Sequence, residues 1–264
     1  PLQAACNMFA LLIEHYFKQE RLAEEAWAIR ACYALALLEQ AGLYAQTPTA
    51  TPAQYLYFAA NKHFEPALWD LIALSLQDNP QQKDAFLTAQ TTFLEARKQI
   101  VHILKTEVTQ EKFERSLDDI CIMIDFLRSY SHYVPCAHIF ATSYTNIIEV
   151  LHKIIQATGN YKARCMLATI ELEQTTDNSI DKAFEILEPV VYNPQTQRFF
   201  AQHINKKARE NLVAHAQDNV HASFMLGIIL FSNKETQTEA YTFFNLGAQK
   251  KDFYSLCSAA SMIR

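Results

Sequence analysis

Glu149 and His152 stand at the Glu-x-x-His spacing of a helical di-iron half-site. Such a site needs a second Glu-x-x-His and two further carboxylates facing it. The chain has no second copy, so the pair reads as a surface Glu and His on an amphipathic helix. Cys136-Ala137-His138, with His132 nearby, could serve as a thiol–imidazole pair or as metal ligands. A nucleophile needs its base in hydrogen-bond reach and a third group to orient that base. Near neighbours on one helix do not face each other, so a core Cys and a partly exposed His fit better. Asp118 and Asp119 could be an acid–base pair. Consecutive helical residues point about 100° apart, so they cannot share a substrate atom easily. There is no Gly-rich phosphate loop, no H-E-x-x-H and no G-x-S-x-G. The reading is therefore a chain that is not an enzyme, with no cofactor and no metal. The competing reading is a helical-bundle enzyme or metal protein using Glu149, His152 and His138.

The elements that would carry these residues are helical. Ala, Leu, Gln, Glu and Lys are abundant and favour helix, while Gly occurs only 4 times in 264 residues. That scarcity argues against antiparallel β folds, which need Gly-containing turns. Helix starts are legible at Thr51-Pro52-Ala53-Gln54 and Thr236-Gln237-Thr238-Glu239, both capping boxes, and at Asn79-Pro80 and Asn193-Pro194. Gly159 sits where a left-handed helix end is expected. Phe113, Leu117, Ile120, Ile124 and Leu127 form a helical stripe within 109–128, and 146–155 holds another. Tyr133-Val134-Pro135 breaks the two.

Small residues recur at helical offsets. Ala59-Ala60 is followed by Ala67 and Leu71, and Gly247-Ala248 by Ser255 and Ala259 at the same distances. Ala31, Leu35, Ala36; Ala163, Leu167, Ala168; and Ala222, Leu226, Gly227 repeat the second half of that unit. Small residues let paired helices approach closely, and their recurrence implies stacked pairs. Each pair is a first helix with the Ala-Leu seam, a polar loop, a second helix with an aromatic or aliphatic pair and two small residues, and a tight turn. Residues 85–155 are less regular. The expected organisation is N-terminal helical repeats over 1–99, an irregular helical middle over 100–155 and C-terminal repeats over 156–264.

The small residues, the aromatic pair and the turn resemble the Sel-one-like repeats (SLR), relatives of the tetratricopeptide repeats. The resemblance covers Ala222 to Ala260 and Ala31 to Ala73, and part of Ala163 to Leu187. It implies an all-α, right-handed α/α superhelical solenoid, with about six to seven helix pairs at the usual repeat length. It also implies an adaptor that docks a partner protein or peptide, within a larger assembly. In such stacks the first helices line the concave surface. The expected partner-binding face carries Arg30, Tyr33, Leu37, Trp69, Lys162, His221, Phe224 and Ile228, with Ala73 and Thr169 beside them. The alternative is that Trp69, Phe224 and Ile228 fill the core. A purely structural spacer between domains is the other non-catalytic reading.

The formal net charge is −5, which lacks the basic footprint of a nucleic-acid binder. The clearest apolar run, Phe224 to Phe231, is too short to span a bilayer. Cysteines at 6, 32, 121, 136, 165 and 257 form no C-x-x-C pair and read as small core residues in a reducing compartment. Spacing alone leaves disulfides open. With no visible export signal, the expected location is cytoplasmic. The start at Pro1 reads as a trimmed fragment.

Overall fold

A computed structural model describes residues 26–42, 51–106, 109–130, 137–174, 176 and 178–262. These residues are all-α, with no strand among them. The helices are α1 (Ala26–Gln40), α2 (Pro52–Asn61), α3 (Glu65–Ser75), α4 (Pro80–Lys105), α5 (Gln110–Tyr130), α6 (Ala137–Thr158), α7 (Tyr161–Leu172), α8 (Ser179–Leu187), α9 (Pro194–His203), α10 (Lys206–His215), α11 (Val220–Phe231), α12 (Gln237–Gln249) and α13 (Phe253–Met262). Single 3-10 turns lie at Glu188–Val190 and Lys234–Thr236. No helix among the described residues is long and apolar enough to cross a membrane.

The chain divides into two compact units, residues 1–106 with 114–147, and residues 107–113 with 148–264. The expected middle segment 100–155 is thus shared between the units and is not a unit of its own. Its irregularity has a plain cause: α4, α5 and α6 run for 26, 21 and 22 residues, against 9 to 15 for the others. Long single helices do not return the short-pair spacing.

In the first unit α2 packs between α1 and α3, and α4 follows against α3. Its core is aromatic. Trp69 meets Phe93 and Phe126 at 5.9 Å and Phe140 at 6.3 Å, all edge-on, while Phe93 stacks on Phe126 at 4.4 Å. Edge-on rings set the positive edge of one against the negative face of another. The indole N–H is satisfied by Glu65 at 3.1 Å, and Glu65 in turn pairs with Arg97 at 2.8 Å.

In the second unit α7 and α11 are central. α8, α9 and α10 pack on α7, while α8, α9, α10, α12 and α13 pack on α11. Every residue of α11 from Ala222 to Leu230 is buried. Close approach is built in where a Cβ would not fit: one placed on Gly227 would stand 2.8 Å from Phe244 Cζ, and one on Gly247 2.8 Å from Ser255 Cβ. Asn211 is buried on α10 and donates to the Leu172 carbonyl at 2.9 Å, tying α10 to the end of α7.

Turns and caps follow from local chemistry. At the end of α2, Phe64 N–H donates to Ala59 O and His63 N–H to Ala60 O. At the end of α12, Asp252 N–H donates to Gly247 O and Lys251 N–H to Ala248 O. Both are Schellman endings. His63 and Lys251 both sit at φ 66°, so the matching offsets seen in sequence correspond to the same turn. Gly159 takes the same left-handed region at φ 65°, closing α6 with a bond from its N–H to Ile155 O at 2.8 Å. The Thr51–Gln54 capping box forms in both directions. Asn79, Asn160, Asn193, Asn205 and Asn219 cap their helices through side-chain oxygens. The expected box at Thr236 does not form: its hydroxyl donates to Leu230 O at 2.6 Å, because the 3-10 turn before α12 turns it back toward α11.

Candidate docking groove

The groove is built on the outward side of α3. Ala67, Leu68, Trp69, Ile72 and Ala73 are the buried residues of this helix. Asp70, Leu71 and Leu74 lie half-buried on the other side, and Gln77 and Asp78 follow in the turn after the helix. Gln40 from the end of α1, Thr51 to Ala53 from the start of α2, and Lys83 and Leu87 from the first turns of α4 complete a cavity of about 880 Å³. Leu71, Leu74 and Leu87 give it apolar surface, and Asp70, Asp78 and Lys83 give it charge.

Tyr33 holds this wall in place. Its hydroxyl donates to Asp70 Oδ2 at 2.6 Å, and its ring meets Phe64 edge-on at 5.1 Å. Burial and the bond to Asp70 push the phenol up to about 12.

The residues expected on a partner-binding face go to different places. Arg30 and Leu37 are exposed on α1, Leu37 one turn before the groove residue Gln40. Tyr33 is half-buried and engaged as above. Trp69, Phe224 and Ile228 are buried, at 6%, 0% and 3% exposure, and offer no anchor to a partner. The physical reason is that the first helices are covered on several sides, so residues opposite the Ala-Leu seam still face core. Lys162 is half-buried with its Nζ 6.0 Å over the Phe199 ring. His221 stacks on Phe184 at 4.0 Å with Nδ1 2.8 Å from Asp181 Oδ1. Asn219 donates to the same oxygen at 3.0 Å. These bonds, Asn219 first, hold the Asp181 carboxyl below its ordinary 3.8. Ala73 lines the groove at 9% exposure, and Thr169 is buried with its hydroxyl on Cys165 O.

Sequence reasoning passed over Asp70, Leu74, Gln77, Lys83 and Leu87. Asp70 and Leu74, one helical turn apart, were the available signal, masked by the more prominent Trp69.

The other chemical candidates do not converge. Glu149 and His152 are both exposed on α6, and no group of three or more His, Cys, Asp or Glu side chains is arranged to hold a metal among the described residues. Cys136 and His132 lie outside the described residues, as does the His138 side chain. Asp119 is half-buried, and burial first, then the Asp118 charge, raises its carboxyl. Cys32 and Cys165 are buried free thiols pushed up to about 12 by burial, as small core residues should be. Cys121 is half-buried and Cys257 exposed, unlike the expected core placement. Comparison of the chain with protein-family models, with curated proteins and with solved structures yields no match.

Proposed function

We propose that this chain is a non-catalytic interaction scaffold that docks a helix or extended segment of a partner protein, within a larger assembly. In this reading its helix pairs stack as in the right-handed SLR-type superhelix, and the groove on α3 is the docking surface. The observation that carries the reading is the groove itself: three leucines and three charged side chains from α3, the turn after it and α4, pre-positioned by the Tyr33–Asp70 bond. Leucines supply affinity through buried apolar area, and charges at the rim set orientation. A preformed surface also spares the partner part of the ordering cost.

The test is affinity purification of the chain from its native cell, repeated with Leu87→Asp and Lys83→Glu, followed by binding of the purified partner. Leu87 is 41% exposed, so its replacement leaves the core intact. A specific co-purifying protein lost with both variants, and kept with Val213→Asp on the exposed side of α10, is expected. An unchanged set of captured proteins across all variants would sink the groove assignment.

A further inference from the structure

The second unit changes the sign of its charge between α8 and α10. Residues 171–188, which include α8, hold six carboxylates against the single cation Lys182. On α9 and α10 four cations, Arg198, Lys206, Lys207 and Arg209, stand against Glu210 alone, in a chain of net charge −5. Both helices pack on α7 and α11 through other residues, Thr196 and Phe200 on α9 and Ala208, Asn211 and Leu212 on α10. All four cations are left exposed. Lys206 reaches Glu210 at 3.7 Å, with both side chains mostly in solvent and in the Lys-before-Glu order, the weaker of the two. Arg198, Lys207 and Arg209 have no carboxylate partner among the described residues. Lys206 and Lys207 also occupy the first turn of α10, at the positive end of its dipole, and no acidic residue shares that turn. Unpaired like charges gathered in this way destabilise the free chain, and carboxylates brought by a partner relieve them.

We propose that the α9–α10 junction docks an acidic segment of a partner protein, rich in Asp and Glu. Charge and extent select this occupant. Double-stranded nucleic acid carries a charge about every 1.7 Å, while each of the two helices is only about 15 Å long. A long polyanion would run on to the carboxylates of α8, which packs on the same α7. Unpaired bases also need a ring to stack on. Phe199 is half-buried, stacks on His203 at 3.8 Å and has Lys162 Nζ 6.0 Å from its centre. A basic helix holds an anionic membrane through Trp, Phe or Leu on its other face. Val213 is the one exposed large apolar side chain on α9 and α10. A short acidic segment needs neither length nor insertion. Its carboxylates pair with lysines as point charges and with arginines in bidentate bonds. This surface lies on the second unit and does not rest on the groove reading.

Fluorescence anisotropy of a labelled Glu-rich peptide of about twelve residues, titrated with the whole chain, tests it. Poly-uridine RNA and vesicles of mixed phosphatidylcholine and phosphatidylserine are the competing probes. The peptide should bind, and binding should weaken at least about tenfold between about 0.02 and 0.5 M salt. Lys207→Glu and Arg209→Glu should each weaken it at least about fivefold by setting like charge against the peptide. Lys182→Glu, exposed on α8, changes the net charge equally and should leave binding unchanged. Lys207→Glu should also raise the melting temperature, because a carboxylate suits the first turn of a helix. A merely solvated face would gain that stability without losing peptide. Arg209→Glu lies beyond the first turn and carries the same test should Lys207→Glu fail to fold. No peptide binding at low salt, binding indifferent to both variants, or an equal loss with Lys182→Glu would overturn the proposal. So would tighter binding of the RNA or of the vesicles than of the peptide.

Discussion

Two buried or half-buried polar side chains carry measurable weight. Asn211 satisfies the last carbonyl of α7, which has no partner within its own helix. Asn211→Ala leaves that carbonyl unpaired in the core and should lower stability by about 1–3 kcal/mol, read by chemical denaturation. Asp181 makes a second, pH-dependent case. Its folded-state pKa is depressed, so its contribution is present above the ordinary carboxylate value and is lost as pH falls through the folded value. The chain should lose stability on acidification below about pH 4, and Asp181→Asn should flatten that part of the stability–pH curve. An unchanged slope in the variant would show that other carboxylates carry it. Neither pairing was legible from spacing: Asn211 and Leu172 are 39 positions apart, and Asp181 and His221 are 40.

The tight turns are where sequence and element agree best. His63 and Lys251 occupy one left-handed position in two copies of the same Schellman ending. An L-residue there is strained by about 1–2 kcal/mol, part of which Gly relieves at the cost of a looser unfolded chain. Lys251→Gly should therefore raise the melting temperature, with a net gain near 1 kcal/mol, whereas Lys251→Val should lower it. A fall with Gly would mean that the lysine side chain has a role that the turn geometry does not require. Capping was legible at Thr51 because the box involves only residues three positions apart in the chain. It misled at Thr236 because a hydrogen-bond acceptor on α11, invisible from the local motif, drew the hydroxyl away.

At the scale of the whole molecule, burial is unevenly distributed. α11 is surrounded along nine consecutive residues, while α13 exposes most of one side. Native-state hydrogen exchange should therefore be slowest in α11 and faster in α13, whose opening costs less. Equal protection in both helices would contradict this ordering. The all-α class, the tight turns, the Thr51 box and the Gly227 and Gly247 approaches were determined by the sequence, because propensity, handedness and steric size act over a few residues. The two-unit division, the burial of Trp69, Phe224 and Ile228, and the groove on α3 were decided only by the tertiary structure. Helical periodicity separates one side of a helix from the other, but it does not count how many neighbours will cover each side. The small-residue seam told which faces pack; the packing of α8, α9, α10, α12 and α13 on α11 told that the opposite face packs as well.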